Sequence, residues 1–158
     1  MNFFISTVFA VVAFFINTQL NAEVDTSVIT GYHFHTYFFQ NNADSTSEAL
    51  ELREKIQELS TTLLAGCRLN VVNYGPRGPH LIGSYETCCN ASAINPAQSF
   101  FMQNHGNLTI FLHPLTRYEV LDHTIRSMWL GKDMPLDISV LNHDLVEAPL
   151  CLPIPGIN

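Results

Sequence analysis

Two histidines in one strand-like segment are the residues of this chain best placed to do chemistry. His33 and His35 stand two apart in the run Gly31–Tyr37, and side chains two apart on a strand project from the same face. Neutral imidazole is the commonest protein ligand for transition metals. Further histidines follow or precede apolar segments at His80, His113 and His123. The pattern predicts a metal-dependent site, whereas a single histidine in a strand is more often a hydrogen-bonded structural residue.

The elements that must position these histidines follow from hydrophobic periodicity. Apolar and β-branched runs bounded by turn residues predict strands over residues 32–39, 67–74, 81–89 and 107–113. A helix with one apolar stripe follows the first strand, with Ser45 and Glu48 spaced as a capping box. A second helix is predicted from Asn95, its N-cap, to about His105. The order β-α-β-β-α-β is that of a ferredoxin-like α+β sandwich, here with a C-terminal extension.

Residues 114–131, after the fourth strand, carry a further short helical pattern, in which Asp122 is a candidate cap and Trp129 is expected to be buried. His105, beside the end of the second helix, and His143, in the tail, are expected to be surface residues.

A ferredoxin-like order brings the candidate residues to one face of the sheet. Its first strand is central and antiparallel to the third and fourth strands, so a simple register places Glu86 about opposite His35 and brings His113 nearby. Phe34 and Phe38 alternate with the histidines and supply the face that the helices cover. Two imidazoles and one carboxylate with open positions are the ligand set of non-haem Fe(II) oxygenases. A one-residue slip would reverse every side chain, and a carboxylate such as Glu86 is more often a solvated residue than a metal ligand.

Length and charge bound the class of protein. The chain has 158 residues, enough for one domain, and a formal net charge of −7, which argues against nucleic acid because phosphates require a basic surface. The apolar run within residues 1–22 is too short for a membrane span of roughly 20 residues and is typical of a secretory signal peptide. An uncleaved anchor is the alternative. The mature domain is expected over 23–158, with a core at about 31–141, a Pro-rich tail at 142–158 and no membrane contact after signal removal.

The cysteines fit an extracellular location. An even count after a signal peptide predicts two disulfides among Cys67, Cys88, Cys89 and Cys151. A bridge between the adjacent pair would form a strained ring, so we expect Cys67 to pair with one of the two and Cys151 with the other. Asn90 begins the sequon Asn-Ala-Ser in loop-like sequence and is a predicted glycosylation site.

Several motifs in order resemble the DOPA 4,5-dioxygenase family. They cover roughly residues 31–141, and any one of them alone would be a weak signal. They are the segments Tyr32–Tyr37, Gly78–Glu86, Asn104–Thr116, Asp122–Thr124, Trp129–Gly131 and Pro135–Asp137.

The resemblance implies a small ferredoxin-like domain of the dimeric α/β-barrel type that opens a catechol ring by extradiol cleavage. Fe(II) is the expected cofactor, with another divalent metal left open. A small catechol such as DOPA and dioxygen are the expected partners, and a homodimer is left open. Arg77 or Arg126 is a candidate to pair with a substrate carboxylate, although each also fits a plain surface charge.

The resemblance also supplies candidate roles for the histidines. A site for ferrous iron needs neutral imidazoles and at most one carboxylate, with adjacent positions open for catecholate and dioxygen. A nearby histidine can take the catechol proton or return one. The expected metal ligands are His33, His35, His113 and Glu86, and the expected acid–base residues are His80 and His123.

A non-catalytic extracellular protein that binds a metal or a small aromatic ligand is the alternative function. The family's fungal and bacterial members are not typically secreted, so secretion sets this chain apart. The presence of every motif histidine favours the enzyme, since a scaffold has no evident need for them. Oxygen uptake supported by a bound metal separates the two hypotheses.

Overall fold

The computed structural model describes residues 24–151, in which a single antiparallel sheet carries helices against one of its faces. The predicted signal peptide lies outside the described residues, as does the end of the tail. The strands are β1 Gly31–Phe38, β2 Cys67–Leu69, β3 Gly83–Asn90, β4 Thr109–Leu115 and β5 Met128–Leu130. The α-helices are α1 Ala43–Leu59, α2 Ile94–Asn104 and α3 Glu119–Asp122.

The sheet has the order β2-β3-β1-β4-β5, so β1 is central. β1 runs antiparallel to both neighbours, and His35 lies opposite Glu86 on β3, as the simple antiparallel register predicted. On the other side, His33 lies opposite His113 of β4. Strands and helices in one antiparallel architecture confirm the α+β class.

The helices cover the face of the sheet that carries the phenylalanines of β1. Phe34 and Phe38 are fully buried, and Phe34 stacks on Phe101 of α2 with ring centroids 4.6 Å apart. From α1, Leu52 and Ile56 reach the same core. Because successive strand residues point to opposite faces, burying these rings under the helices leaves the histidines of β1 on the other face.

Several predicted boundaries are wrong for identifiable reasons. The second strand pairs only over Cys67–Leu69 and then leaves the sheet, returning for one bridge between Asn73 and Ser84. The N-cap of α1 is Asn42 rather than Ser45, because the Asn42 side chain accepts from the Ser45 amide. The second helix starts at Ile94, directly after a 3₁₀ turn that the Asn90 side chain caps.

The short helical pattern predicted after the fourth strand is mostly not helix. Only Glu119–Asp122 is α-helical, and Met128–Leu130 forms an edge strand instead. Trp129, predicted to be buried, is half-buried and packs on Phe111 with ring centroids 4.4 Å apart. Pairing with β4 overrides the helical pattern because it offers this short segment a backbone partner.

The two disulfides lie on opposite sides of the sheet. Cys67 is bonded to Cys89, which belongs to the core under the helices. Cys88 is bonded to Cys151, and this pair packs with Leu115 on the other side. Adjacent residues of one strand point to opposite faces of the sheet, so Cys89 forms its disulfide on the helix side and Cys88 forms its disulfide on the other side.

The predicted glycosylation site lies where β3 leaves the sheet. Asn90 is half-buried at the end of β3, and its side-chain Oδ1 accepts from the Ser92 hydroxyl and the Ala93 amide. Glycosylation of Asn90 stays a prediction. Within residues 24–151, every helix is too short or too polar to cross a membrane.

Candidate metal centre and cavity

The open face of the sheet gathers five of the chain's seven histidines. His33 and His35 project from β1 and His113 from β4. Both strands are fixed by the pairing that buries the opposite face. The other two come from loops: His80 precedes β3 and His123 follows α3. Ring centroids of His35 and His80, and of His113 and His123, are 4.0 Å apart.

Backbone carbonyls set the tautomers of two of these histidines. Nδ1 of His113 lies 2.9 Å from the Pro114 carbonyl oxygen, and Nδ1 of His123 lies 2.9 Å from that of Glu119. A carbonyl oxygen only accepts, so each Nδ1 carries the hydrogen and donates it. Each Nε2 therefore presents a lone pair to the cluster, which is how metal-binding histidines are commonly oriented.

The separation of the nitrogens fits a bound metal ion. Nε2 of His35 lies 3.2 Å from Nε2 of His113. Two nitrogens bound to one ion at about 2.1 Å lie roughly 3.0–3.4 Å apart in octahedral or tetrahedral geometry. The nitrogens of His33, His35 and His113 lie within 4.8 Å of one another. Those of His35, His80 and His123 do so as well, so His35 belongs to both triads.

Glu86 contacts the cluster from β3. Its Oε2 lies 3.3 Å from Nδ1 of His33 and 4.0 Å from Nε2 of His35. Its Oε1 accepts a hydrogen bond of 2.7 Å from the Asn70 side chain. One carboxylate therefore stands beside the first triad, held by an amide on its other oxygen.

His80 is held by a phenol. Tyr37, two residues after His35 on β1, places its hydroxyl 2.5 Å from Nδ1 of His80. The His80 backbone pairs with Arg77 and bridges to Leu136, which fixes the loop on which it stands. Both ring and loop of His80 are thus positioned by neighbours.

Burial keeps the histidines neutral in the metal-free protein. It lowers the pKa of His33 to about 3 and of His80 to about 4, with neighbouring histidines adding to the shift. It also lowers the pKa of His35 and of His113 well below the ordinary value. For Glu86, burial raises the pKa to about 7. Neutral imidazoles are the form that binds a metal, so the cluster is prepared for one.

These shifts predict acid-sensitivity of the metal-free protein. A histidine whose pKa is lower in the folded state gives stability that is complete above the unfolded pKa of about 6.5 and is lost as the pH falls below it. Glu86 acts the other way, because its raised pKa gives stability below about 4.5 that is lost as the pH rises through 7. The histidines outnumber it, so we expect the free energy of unfolding to fall from pH 7 to pH 4.5, measured by urea denaturation.

Glu86 provides the control, because its contribution to the free energy of unfolding increases as the pH falls. Glu86→Gln removes this contribution, so the free energy of unfolding should fall more steeply between pH 7 and pH 4.5. His33→Gln should make it shallower. A metal-free protein whose stability is flat or rises over this interval contradicts the assignment of neutral buried histidines.

The histidines line a cavity of about 880 Å³. Arg77 borders it, in keeping with its candidate role, whereas Arg126 does not. Arg126 is instead bonded to Asp122 and to Asp25, so the expectation that Arg126 meets a substrate carboxylate lacks support here. On the far side from the β2 edge, the cavity is bordered by Leu115, Thr116, Glu119, Val146 and Pro149.

Asp122 is buried and organises the loop before His123. It accepts from the Thr116 amide at 2.7 Å, from the Thr116 hydroxyl at 2.9 Å and from Arg126 at 2.9 Å. The sequence suggested a helix cap, but Asp122 ends α3 and ties it back to the end of β4.

The remaining histidines and cysteines lie outside the cluster or are otherwise occupied. His143 is exposed in the tail, as expected. His105 is half-buried rather than exposed, because its ring packs back to bond the Leu108 carbonyl oxygen after α2. Cys88 and Cys151 lie near His33, but their sulfurs are joined in a disulfide and offer no thiolate.

Sequence reasoning missed three contributors to the site. The hydrogen bond from Asn70 to Glu86 depends on the chain leaving the sheet after Leu69. The bond between Tyr37 and His80 depends on the path of a loop. The tail residues that border the cavity come from more than 100 residues after β1. Only Tyr37 gave a signal, since it shares the alternation of His33 and His35.

Comparison with known proteins gives a consistent result. Residues 32–140 match the Dopa 4,5-dioxygenase family. A DOPA 4,5-dioxygenase of Amanita muscaria is 40% identical over 137 residues, which is 86% of this chain and 60% of that protein. The chain thus spans about 60% of the length of this relative.

Two further relatives extend the comparison. An uncharacterised protein of Botryotinia fuckeliana is 29% identical over 135 residues, covering 78% of this chain and 69% of that protein. A crystal structure of a "putative dioxygenase" from Nostoc punctiforme has a TM-score of 0.64 and 31% identity, covering 75% of this chain and 96% of that one.

Proposed function

This chain belongs to the Dopa 4,5-dioxygenase family, and from that premise we propose that it is a secreted, metal-dependent extradiol dioxygenase acting on a small catechol such as DOPA. The observation that carries the proposal is the cluster of neutral histidines lining a cavity, with two imidazole nitrogens 3.2 Å apart. Clustered imidazoles beside one carboxylate suit a divalent ion, and Fe(II) is the ion we propose.

The proposed reaction is balanced without a further reductant. Catechol and dioxygen combine, and the ring bond between a hydroxylated carbon and its unhydroxylated neighbour breaks. One atom of dioxygen enters the carboxylic acid formed at the hydroxylated carbon, and the other becomes the aldehyde oxygen formed at its neighbour. The ring supplies all the electrons that dioxygen accepts. A ferrous ion held by His33, His35 and His113 would supply the route by which electrons pass from the catechol ring to dioxygen.

The residues of the chain divide into two roles in this proposal. His33, His35 and His113 would hold the metal, with Glu86 as the carboxylate beside them. His123 presents an unprotonated Nε2, because its Nδ1 donates to Glu119, and so can take the catechol proton. His80, held by Tyr37, is the second candidate for moving a proton.

The finer points of fold and location belong to the same proposal. The order β-α-β-β-α-β with sheet order β2-β3-β1-β4 supports a ferredoxin-like domain to which β5 is added at the edge. Two disulfides and the apolar N-terminal run support secretion. That the protein forms a homodimer stays a prediction. Light scattering of the purified protein, which measures its mass in solution, tests it.

The test of the proposal is oxygen consumption by the iron-loaded protein. The mature protein is purified anaerobically, loaded with Fe(II) and mixed with DOPA in air-saturated buffer. We expect one dioxygen consumed per DOPA, with a yellow ring-opened product. Tight metal binding without oxygen uptake on any catechol overturns the enzyme and favours the binding protein, and absence of metal binding overturns both.

Replacing Glu86 by glutamine is expected to weaken metal binding. The amide keeps the size of the carboxylate and loses its charge beside His33 and His35. We expect a loss of metal affinity of about 10- to 100-fold, the usual cost of altering a group that orients or supplements the ligands. Competition with a chelator measures it. Glu147→Gln, on the exposed tail, is the control, and equal affinities in the two variants contradict a role for Glu86.

A further inference from the structure

We propose that the tail before Cys151 is the wall of the cavity that selects the substituent on the catechol ring. The inference rests on the proposed function and adds a specificity element to it. Val146 and Pro149 border the same cavity as the histidines. The match to the family model ends at residue 140, so these two residues lie beyond the matched region.

Four contacts fix the tail as a wall. The Val146 amide donates to the Arg117 carbonyl oxygen at 3.2 Å, and the Arg117 side chain donates to the Val146 carbonyl oxygen at 3.3 Å. The Thr30 hydroxyl donates to the Pro149 carbonyl oxygen at 2.6 Å. The disulfide from Cys151 to Cys88 then closes the segment onto β3. The tail segment 146–151 has no regular secondary structure, and these contacts hold it at Val146, at Pro149 and at Cys151.

The disulfide places this wall close to the metal centre. Cys88 lies opposite His33 in the sheet, and both sulfurs lie within 4.8 Å of a ring nitrogen of His33. Gly31 makes the close approach possible: a Cβ atom there would lie 2.6 Å from the Cys89 carbonyl oxygen and 3.1 Å from the Cys151 sulfur. The tail therefore meets β1 at the start of the strand that carries the histidines.

The character of the wall indicates what it contacts. Leu115, Val146 and Pro149 form an apolar patch on the tail side of the cavity, beside the polar residues Thr116 and Glu119. Asn70, Asn73 and Arg77 border the cavity from the segment that follows β2. The catechol oxygens must face the histidines, and about 880 Å³ is far more space than one ring fills. The remainder of the cavity is available to a ring substituent, and Val146 and Pro149 offer it an apolar contact. This contact suits an alkyl substituent, whereas the charged amino-acid group of DOPA suits Arg77.

The experiment compares the removal of each disulfide. Cys88→Ala with Cys151→Ala frees the tail, whereas Cys67→Ala with Cys89→Ala removes the bridge on the helix side and leaves the tail attached. KM and kcat are measured for 4-propylcatechol and for unsubstituted catechol, with metal content determined for each protein. We expect the ratio of KM for 4-propylcatechol to KM for catechol to rise about tenfold in the first variant, the effect of losing roughly 1.4 kcal/mol of apolar contact. The ratio should stay at the wild-type value in the second.

A second variant keeps both disulfides in case the first does not fold. Val146→Phe narrows the cavity from the tail side and should raise the same ratio with metal content unchanged. An unchanged ratio in Val146→Phe, or an equal change in both disulfide variants, overturns the inference while leaving the proposed function standing. A wild-type protein that turns over neither DOPA nor these two catechols overturns the proposed function and this inference with it.

Discussion

Replacing His35 by alanine is expected to remove both tight metal binding and ring cleavage. His35 belongs to both histidine triads, so no triad survives its loss. His113→Ala should have nearly the same effect, because its Nε2 is the partner at 3.2 Å. Altering a group that only supports a ligand costs about 10- to 100-fold, so we expect the loss of a ligand to lower oxygen uptake by more than about 100-fold.

The measurement is metal content after dialysis together with oxygen uptake on DOPA. His143→Ala is the matched control, since His143 is exposed in the tail and away from the cavity. Circular dichroism and the urea midpoint show whether each variant is folded. A folded His35→Ala protein that retains one metal per chain and full activity contradicts the assignment of the centre.

Replacing Asp122 by alanine is expected to cause a large loss of stability. Asp122 is buried, with 3% of its surface exposed, and its carboxylate accepts from the Thr116 amide, the Thr116 hydroxyl and Arg126. Removing one partner of a buried charged pair typically costs about 3–5 kcal/mol, because the other groups are left without a counterpart. Arg126 retains Asp25 as a partner, so we expect a loss in free energy of unfolding of about 3 kcal/mol.

Urea denaturation of the metal-free protein at pH 7 measures this loss. Asp122→Asn keeps one acceptor oxygen and should lose less than the alanine variant. Glu147→Ala removes an exposed carboxylate and should stay within about 0.5 kcal/mol of the wild type. If Asp122→Ala also stays within about 0.5 kcal/mol of the wild type, the hydrogen bonds of Asp122 with Thr116 and Arg126 do not anchor the loop that carries His123.

The sequence predicted the part of the site that depends on strand alternation. Phe34 and Phe38 must lie under the helices, so His33 and His35 must lie on the other face, and antiparallel pairing brings Glu86 opposite His35. A register with one face buried leaves no freedom to slip. These placements follow from two properties of β-sheets, the period of two and the direction of the neighbours.

The parts that the sequence did not predict depend on chain paths without regular structure. β2 ends after Leu69, which turns Asn70 towards Glu86. The loop before β3 brings His80 to Tyr37, and the tail returns to the cavity through Cys151. Cysteine count predicted two bridges but left open which of the adjacent cysteines serves the tail, because that depends on the side to which each one points.

The central claim, that this chain is a dioxygenase, is tested most directly with labelled oxygen. The iron-loaded protein reacts with DOPA under oxygen-18 gas, and borohydride is added at once to reduce the aldehyde before its oxygen exchanges with water. Mass spectrometry of the ring-opened product should show two labelled oxygen atoms, and the label should be absent from product made under oxygen-16. Product that carries one labelled atom or none, or labelled hydrogen peroxide in place of ring-opened product, contradicts the account.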